Sequence, residues 1–222
     1  MTRNTSDRVC AQVRIQAIDE QLVKPTDGRS PITDPTTISA IHATPRGAFI
    51  PSVPANEVWA DRPHSIGFGQ TISQPYVVGL ITQFVAATHP QRVLEIGAGC
   101  GYQAGVLSHI AQSVFTIEII QPLAESAHKN LKELHYNNVH TRCGDGHEGW
   151  PTEAPFQAIV LSCAAPEIPK NLWSQLAIGG RLIAPIRHAD GHQQLMIYDK
   201  GPDNEPKSMT SIRVRFVPLT SK

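Results

Sequence analysis

The chain has 222 residues, 41 % hydrophobic and 17 % charged, and its 19 basic side chains are balanced by 19 acidic ones for a formal net charge of zero. That length suits one domain around one substantial core, and a balanced charge supplies no field to draw in nucleic acid or an anionic membrane. No apolar run approaches the roughly 18 residues of a membrane span, and the opening MTRNTSDRVCAQVRIQAIDE lacks the apolar centre of a secretory signal. Four scattered cysteines (Cys10, Cys100, Cys143 and Cys163) form no C-x-x-C pair and read as reduced thiols of a cytoplasmic protein.

Taken in chain order, Val9, Val13, Ile18 and Leu22 recur at near-helical spacing and predict an amphipathic helix over 5–24. Seven prolines between Pro25 and Pro63 then break any long element, leaving mostly irregular chain with short helical turns. So much loop in a compact domain reads as a functional cover. From Ser73 onward strand and helix patterns alternate. A helix over 75–87 precedes the buried strand 92–96 (RVLEI), a glycine loop and a helix from about Tyr102 to Ala111. The strand 114–118 (VFTIE), a helix around 122–134 and the strand 139–143 follow. Next come the strand 156–162, a helix near 170–176, and a fifth strand, 181–185, expected to start after Gly179-Gly180 stops the helix. Segments 194–198 and 212–217 complete the set, with no helix between them, so the last pair should run antiparallel. This βαβ rhythm predicts an α/β fold, a doubly wound, mostly parallel seven-stranded sheet with a helical and irregular N-terminal extension. One domain over 1–222 is expected, with a cover over 1–63 and a catalytic core over 64–222.

RVLEI runs straight into Gly97-Ala98-Gly99-Cys100-Gly101, and a helix follows. Such strand-to-helix junctions are where open α/β sheets bind ligands, and glycine lets the backbone turn sharply and approach a ligand closely. The dinucleotide fingerprint G-x-G-x-x-G needs a glycine at 102, where this chain has Tyr102. Glu95, two residues before Gly97, would repel a phosphate and attract a ligand carrying a sulfonium and an ammonium, favouring S-adenosylmethionine over a dinucleotide. Glu118 ends the next strand about twenty residues on, the spacing at which an acid accepts both ribose hydroxyls. Asp145, between Gly144 and Gly146 after the third strand, suits either a plain turn or a contact with the adenine amino group. His188 and His192, around Asp190-Gly191, read as a turn and not as a metal face; no metal site is expected.

The block Ile66-Gly67-Phe68-Gly69-Gln70-Thr71-Ile72-Ser73-Gln74-Pro75-Tyr76 closely resembles the signature of protein-L-isoaspartate O-methyltransferases. Colinear with it are 93–102 (VLEIGAGCGY), Gly144-Asp145-Gly146 with Gly149-Trp150, 164–169 (AAPEIP) and 214–219 (VRFVPL), so that the resemblance spans about residues 44 to 219. It implies a Rossmann-like methyltransferase fold and methyl transfer from S-adenosylmethionine to the α-carboxylate of L-isoaspartyl residues, with S-adenosylhomocysteine as product. It further implies Ser73 as the hydroxyl that orients the substrate carboxylate. Gln70, Thr71 and Ile72 join the cofactor pocket (Glu95, Gly97, Gly99, Gly101, Glu118, Asp145, Gly146) to a substrate pocket that includes Ile66, Ala164 and Ala165. On local sequence Ser73 equally suits the N-cap of the helix at Pro75. Three departures stand out: His64-Ser65 replaces the usual leucine-proline pair, Ser162-Cys163-Ala164 replaces a Thr-Ala-Ala or Gly-Ala-Ala run, and Lys222 comes soon after VRFVPL where longer relatives carry a tail.

An isoaspartyl carboxylate has a reference pKa below about 4 and is ionised at neutral pH. It is already a nucleophile, in keeping with a sequence that has no nucleophile elbow and no recognisable triad. The enzyme therefore has to align the reacting atoms and exclude water. The expected partners are isoaspartyl proteins and peptides as substrates, with no nucleic acid and no membrane, and the protein itself is expected to be a monomer. Two alternatives stay open on sequence: a carboxylate methyltransferase for another peptide or small molecule, and a non-catalytic cofactor-binding adaptor.

Overall fold

The computed structural model describes residues 16, 18–25 and 27–221. The helix expected over 5–24 lies largely outside them; within them Ile18 and Leu22 are fully buried, at and just after the start of a π-helical turn, Asp19–Val23. The proline-rich stretch is better ordered than its composition suggests. Helix α1, Pro35–Ala43, starts with proline in its first turn, and Asp34 caps it by accepting a hydrogen bond from Thr37 N at 2.7 Å. A short helix α2, Arg46–Phe49, follows.

Strands β1 (His64–Gly67) and β2 (Gln70–Ile72) form an antiparallel hairpin that the sequence reading did not anticipate. Its tip, Gly67-Phe68-Gly69, places three successive residues at positive φ (91°, 53° and 71°), with Phe68 well exposed. Helix α3, Pro75–Ala86, comes next. Ser73 does not cap it. Gln74 occupies the cap position without a side-chain bond, and Asp61, from the cover, accepts from Tyr76 N at 3.0 Å instead.

The main sheet contains β3 (Arg92–Ile96), β4 (Ser113–Glu118), β5 (Val139–Cys143), β6 (Phe156–Leu161), β7 (Leu176–Arg187), β8 (Gln193–Lys200) and β9 (Pro206–Val214). Their spatial order is β5-β4-β3-β6-β7-β8-β9; the first five in space run parallel, and β8 and β9 are antiparallel. Helices α4 (Tyr102–Leu107), α5 (Gln121–Glu133) and α6 (Lys170–Gln175) provide the connections. The doubly wound, mostly parallel seven-stranded sheet is thus present. Its two faces are covered unequally. Side chains of α1, α3, α4 and α5 form one core with Val93, Val114 and Val160. The other face packs Leu94, Ile96, Phe115 and Phe156 beneath the short α6 and the partly buried Trp150 and Trp173.

Two boundaries differ from expectation for a physical reason. β7 starts at Leu176, directly after α6, so Gly179-Gly180 lies inside the strand and does not end a helix. The pairing jumps there from Phe156↔Leu176 to Ala158↔Arg181, and Gly179 takes φ +77° while a side chain on Gly180 would stand 2.9–3.0 Å from two carbonyl oxygens. The glycines make a bulge, which only strand pairing reveals. Likewise β9 ends at Val214, and 217–219 leaves the strand to run beside Ala164: Ala164 N donates to Val217 O and Leu219 N to Ala164 O, both at 2.8 Å. Among the described residues no helix is long and apolar enough to cross a membrane.

Arg46 ties the cover to the core. It is fully buried, with Nε donating to Val58 O at 2.9 Å and Nη2 to Ser73 O at 2.7 Å. Truncation would leave both carbonyls without a donor, each costing about 1–3 kcal/mol. Arg46→Ala should therefore lower the thermal midpoint by about 4 °C or more, since 1 kcal/mol shifts a domain of this size by about 2–4 °C. Scanning calorimetry of both proteins checks this.

Candidate active site

The strand order reverses between β3, which leads into β4, and β6 on its other side, and a cleft opens at the C-terminal ends of these strands. There Gly97 N donates to Ile117 O and Ser162 N to Ile96 O, both at 2.8 Å, so the two loops leave the sheet locked to neighbouring strands. Gly99 takes φ +55°, and a Cβ there would press on Ile66 Cδ1 at 3.1 Å. Gly101 takes φ +91° with Leu131 side-chain atoms 3.1–3.2 Å from where a Cβ would lie. The first glycine requirement comes from the β1–β2 hairpin lying over the loop, the second from α5 packing beneath it.

The cleft is narrow, with a volume of about 60 Å³. Gln70, Thr71, Gly97, Gly99, Glu118 and Gly146 line it, six of the residues the sequence reading assigned to the cofactor. Glu118 is its acidic group. This side chain is 6 % exposed, its Oε2 accepts from Gly99 N at 2.8 Å and its Oε1 from Ile120 N at 3.0 Å. Each oxygen retains a lone pair for a ligand. Asp145 lies next to Gly146, where its Oδ1 accepts from His147 N at 2.9 Å and pairs with His147 Nδ1 at 2.8 Å. The turn reading holds at this residue, while Gly146 beside it lines the cleft. Gly146 is required by packing, because a Cβ would stand 2.4 Å from Ile96 Cγ2.

Glu95 sits elsewhere than its spacing suggested. It has no exposed surface and lies under the glycine loop, with Oε2 accepting from Thr116 Oγ1 at 2.7 Å and Oε1 accepting from Ser162 Oγ at 3.0 Å. Burial pushes its carboxyl up to about 8, against the pull of the two hydroxyls. The carboxyl side chain that lines the cleft directly is Glu118. Both cysteines flanking this region, Cys100 and Cys163, are buried, and burial holds their thiols up at about 11 and about 12.

A second cavity of about 210 Å³ opens beside the first and is lined by Ser73, Gln74, Tyr76, Val214 and Phe216 among others. The Ser73 hydroxyl makes no hydrogen bond to any described residue, while its carbonyl is held by Arg46. Ile72, Ser73 and Glu95 also line a small space between the two, and Thr71 and Ser162 line all three. Ala164 and Ala165 line none of these spaces. They are buried, and their backbones pair with Pro218 and Ile186, which sets the segment 217–219 along the cofactor cleft. Ile66 acts through its contact with Gly99.

Sequence reading missed a polar cluster on the wall of the second cavity. Asp61 accepts from Arg29 Nη1 at 2.5 Å and from Gln74 Nε2 at 3.4 Å, and the Arg29 guanidinium lies 4.0 Å from the Tyr76 ring centroid. Its residues lie up to 47 positions apart in the chain, and no local spacing signals the grouping.

Comparison with known proteins agrees with this geometry. The family model for protein-L-isoaspartate(D-aspartate) O-methyltransferases matches residues 17–222. The chain belongs to that family. A protein-L-isoaspartate O-methyltransferase from Opitutus terrae is 42 % identical over 214 residues, covering 96 % of this chain and 89 % of the relative. Protein-L-isoaspartate O-methyltransferase 1 of Anaeromyxobacter sp. (strain Fw109-5) is 47 % identical over 190 residues, 85 % of this chain and 90 % of its own. Among solved structures, a protein-L-isoaspartate O-methyltransferase superposes with TM-score 0.82 at 27 % identity, covering 95 % of this chain and 66 % of that one. A Plasmodium falciparum structure in complex with S-adenosyl-L-homocysteine gives TM-score 0.75 at 21 % identity, covering 99 % of this chain and all of that one, and shows the same fold.

The buried carboxyl makes stability depend on pH in this methyltransferase-family protein. The unfolded chain releases the Glu95 proton near pH 4.5, whereas the folded protein keeps it to about pH 8. The stability this site contributes is complete below pH 4.5 and is lost as pH rises towards 8. Glu95→Gln, which cannot ionise, should gain in thermal midpoint relative to the parent between pH 5 and pH 8; parallel melting curves across that range check the sign.

Proposed function

We propose that this chain transfers a methyl group from S-adenosylmethionine to the α-carboxylate of L-isoaspartyl residues in damaged proteins and peptides, which starts repair through a succinimide. The observation that carries this reading is the meeting of two cavities at Thr71 and Ser162, one beside Glu118 and the other beside the free hydroxyl of Ser73. The family match over 17–222 supplies the substrate class.

The cleft fits the cofactor on two counts: a buried carboxyl side chain at the end of β4, and backbone bare of side chains at Gly97 and Gly99. S-adenosylmethionine supplies an electrophilic methyl carbon there and leaves as S-adenosylhomocysteine. Glu118 accepts ribose hydroxyls on the lone pairs left by Gly99 N and Ile120 N. Asp145 and Gly146 form the adenine edge, and Gln70, Thr71 and Ile72 form the wall between cofactor and substrate. Gly101 shapes the loop from below.

The substrate carboxylate is ionised at neutral pH, so no general base is needed. Ser73 is the catalytic residue: its hydroxyl donates to that carboxylate, while Arg46 fixes the backbone that carries it. The cofactor would supply the methyl group, and the part of the chain's own residues is to hold the carboxylate in line with it. Opposite charges are neutralised in this step, so a site that excludes water favours it. The segment 217–219 and the β1–β2 hairpin help close the site on two sides.

The chain works as one domain, with a cover up to residue 63 and a catalytic core over 64–222, supported by Arg46 and Asp61, which bond across that boundary. Ala164 serves the substrate side indirectly, by setting the C-terminal segment, and Ala165 by tying the same loop to β7. The neutral net charge supports a reading in which neither nucleic acid nor an anionic membrane is a partner, and a cytoplasmic monomer acting on isoaspartyl proteins completes the proposal.

Labelled cofactor with an isoaspartyl peptide should give a base-labile ester that releases methanol, and the matched aspartyl peptide should give none. Equal labelling of the two peptides would remove the repair reading in favour of a general carboxylate methyltransferase. Ser73→Ala should lower kcat/KM about tenfold or more by deleting a hydrogen bond to a charged group. Its affinity for S-adenosylhomocysteine, measured by calorimetry, should stay within about twofold.

A further inference from the structure

The second cavity carries a charge that the chain as a whole does not. Acidic and basic side chains balance over the full sequence, yet the lining of this cavity includes Arg29, Arg213 and Arg215 and no acidic side chain. Arg29 is already neutralised: its Nε stands 2.6 Å from Asp27 Oδ2, and its Nη1 is paired with Asp61. Arg213 and Arg215 are not. Among the described residues neither has a carboxylate at ion-pair distance.

The backbone that carries these two arginines is held in place. Arg213 lies in β9 opposite Gln194 of β8, and Arg215 follows the strand end at Val214. Gln193 then clamps Phe216, its Oε1 accepting from Phe216 N at 2.6 Å and its Nε2 donating to Phe216 O at 3.0 Å. Ile212, Val214 and Phe216 pack against the core, and the two arginines that alternate with them are exposed. Exposed side chains place Arg213 and Arg215 at the open rim of the cavity. Ser73 lies at its inner end, since it also borders the small space next to the cofactor cleft.

We propose that Arg213 and Arg215 determine substrate specificity by receiving an acidic side chain of the substrate within two residues of the isoaspartyl site. This rests on the function proposed above and names the peptide context that the chain favours. The reacting carboxylate is a single charge, and Ser73 orients it. A guanidinium gripping that same carboxylate would hold back the lone pair that takes the methyl group. The two rim arginines therefore serve a second carboxylate. Their forked donors match a carboxylate with two parallel hydrogen bonds, and guanidinium groups stay charged at every working pH. The cavity is small, about 210 Å³, so its inner end and its rim meet neighbouring residues of one substrate chain. A lysine at the same place in the substrate is repelled.

The test uses the full-length protein, labelled S-adenosylmethionine and isoaspartyl peptides capped at both ends, so that no terminal carboxylate competes. Each peptide carries Glu, Gln or Lys at one of the two positions on either side of the isoaspartyl residue, and ester and released methanol are counted together. At low salt kcat/KM should follow Glu over Gln over Lys at one position or more. About tenfold should separate Glu from Lys, because an exposed ion pair contributes up to about fivefold and Lys adds repulsion. In about 0.5 M salt the spread should shrink to about twofold or less. Changing both arginines to Gln (Arg213→Gln with Arg215→Gln) should abolish the spread, and changing both to Glu should reverse it. Each reading is a ratio between peptides within one protein, so a general loss of activity cancels.

Equal kcat/KM for the Glu and Lys peptides at every position would overturn the inference on the parent protein alone. An unchanged order in the protein with both arginines replaced by Glu would overturn it as well. A parent that labels isoaspartyl peptides without the charge order keeps the repair reading and loses only this inference. A parent that labels none of them overturns the repair reading, and this inference with it.

Discussion

Reversal of strand order at β3 is the constraint on which the rest of the structure depends. β3 has β4 on one side and β6 on the other, and the chains leaving their C-terminal ends diverge to opposite sides of the switch point. Two backbone bonds, Gly97 N to Ile117 O and Ser162 N to Ile96 O, hold the diverging loops at a fixed separation. Cofactor cleft, substrate cavity and the space between them all border this gap. Because its walls are backbone locked into a parallel sheet, the gap is set by the core and not by flexible side chains.

The proline-rich segment becomes part of the catalytic unit through a few polar bonds. Arg46 reaches from α2 to the carbonyl of Ser73, and Asp61 caps α3 from outside the helix while holding Arg29 and Gln74. These bonds fix the stretch 70–76 from its exposed side, where the sheet cannot reach. Prolines in the cover limit the conformations available to the unfolded chain, lowering the entropic cost of ordering a segment with little regular structure.

The two acidic residues of the site are handled in opposite ways. Glu118, at a strand end beside the cleft, accepts two backbone N–H bonds and keeps lone pairs for a ligand. Glu95 is enclosed one layer deeper, where desolvation outweighs two hydroxyl bonds and pushes its carboxyl up to about 8. One acidic side chain thus lines the cleft, while the other is a hydrogen-bonding group inside the wall. A site in which charge is neutralised gains from having few fixed charges around the reacting atoms.

Much of this was legible in the sequence because it is local. Alternation of strands and helices, the glycines after RVLEI, and an acid at the end of VFTIE are patterns within single elements, and periodicity and turn chemistry report them directly. The block IGFGQTISQPY likewise pointed to the family and to Ser73. Tertiary structure decided whatever depends on a partner distant in the chain. Spacing gave Glu95 and Glu118 the same acidic character, and only depth in the sheet separates a carboxyl enclosed in the wall from one that lines the cleft. Gly179-Gly180 looks like a helix stop until β6 pairs across it and makes it a bulge. Ala164 and Ala165 look like pocket residues until their backbones are seen holding other segments, Ala164 the stretch 217–219 and Ala165 the end of β7. Asp61 caps a helix 15 residues away, a role no capping pattern reveals. Local preferences choose the elements, but burial and hydrogen-bond pairing between remote segments set the charge, access and orientation of each group in the site.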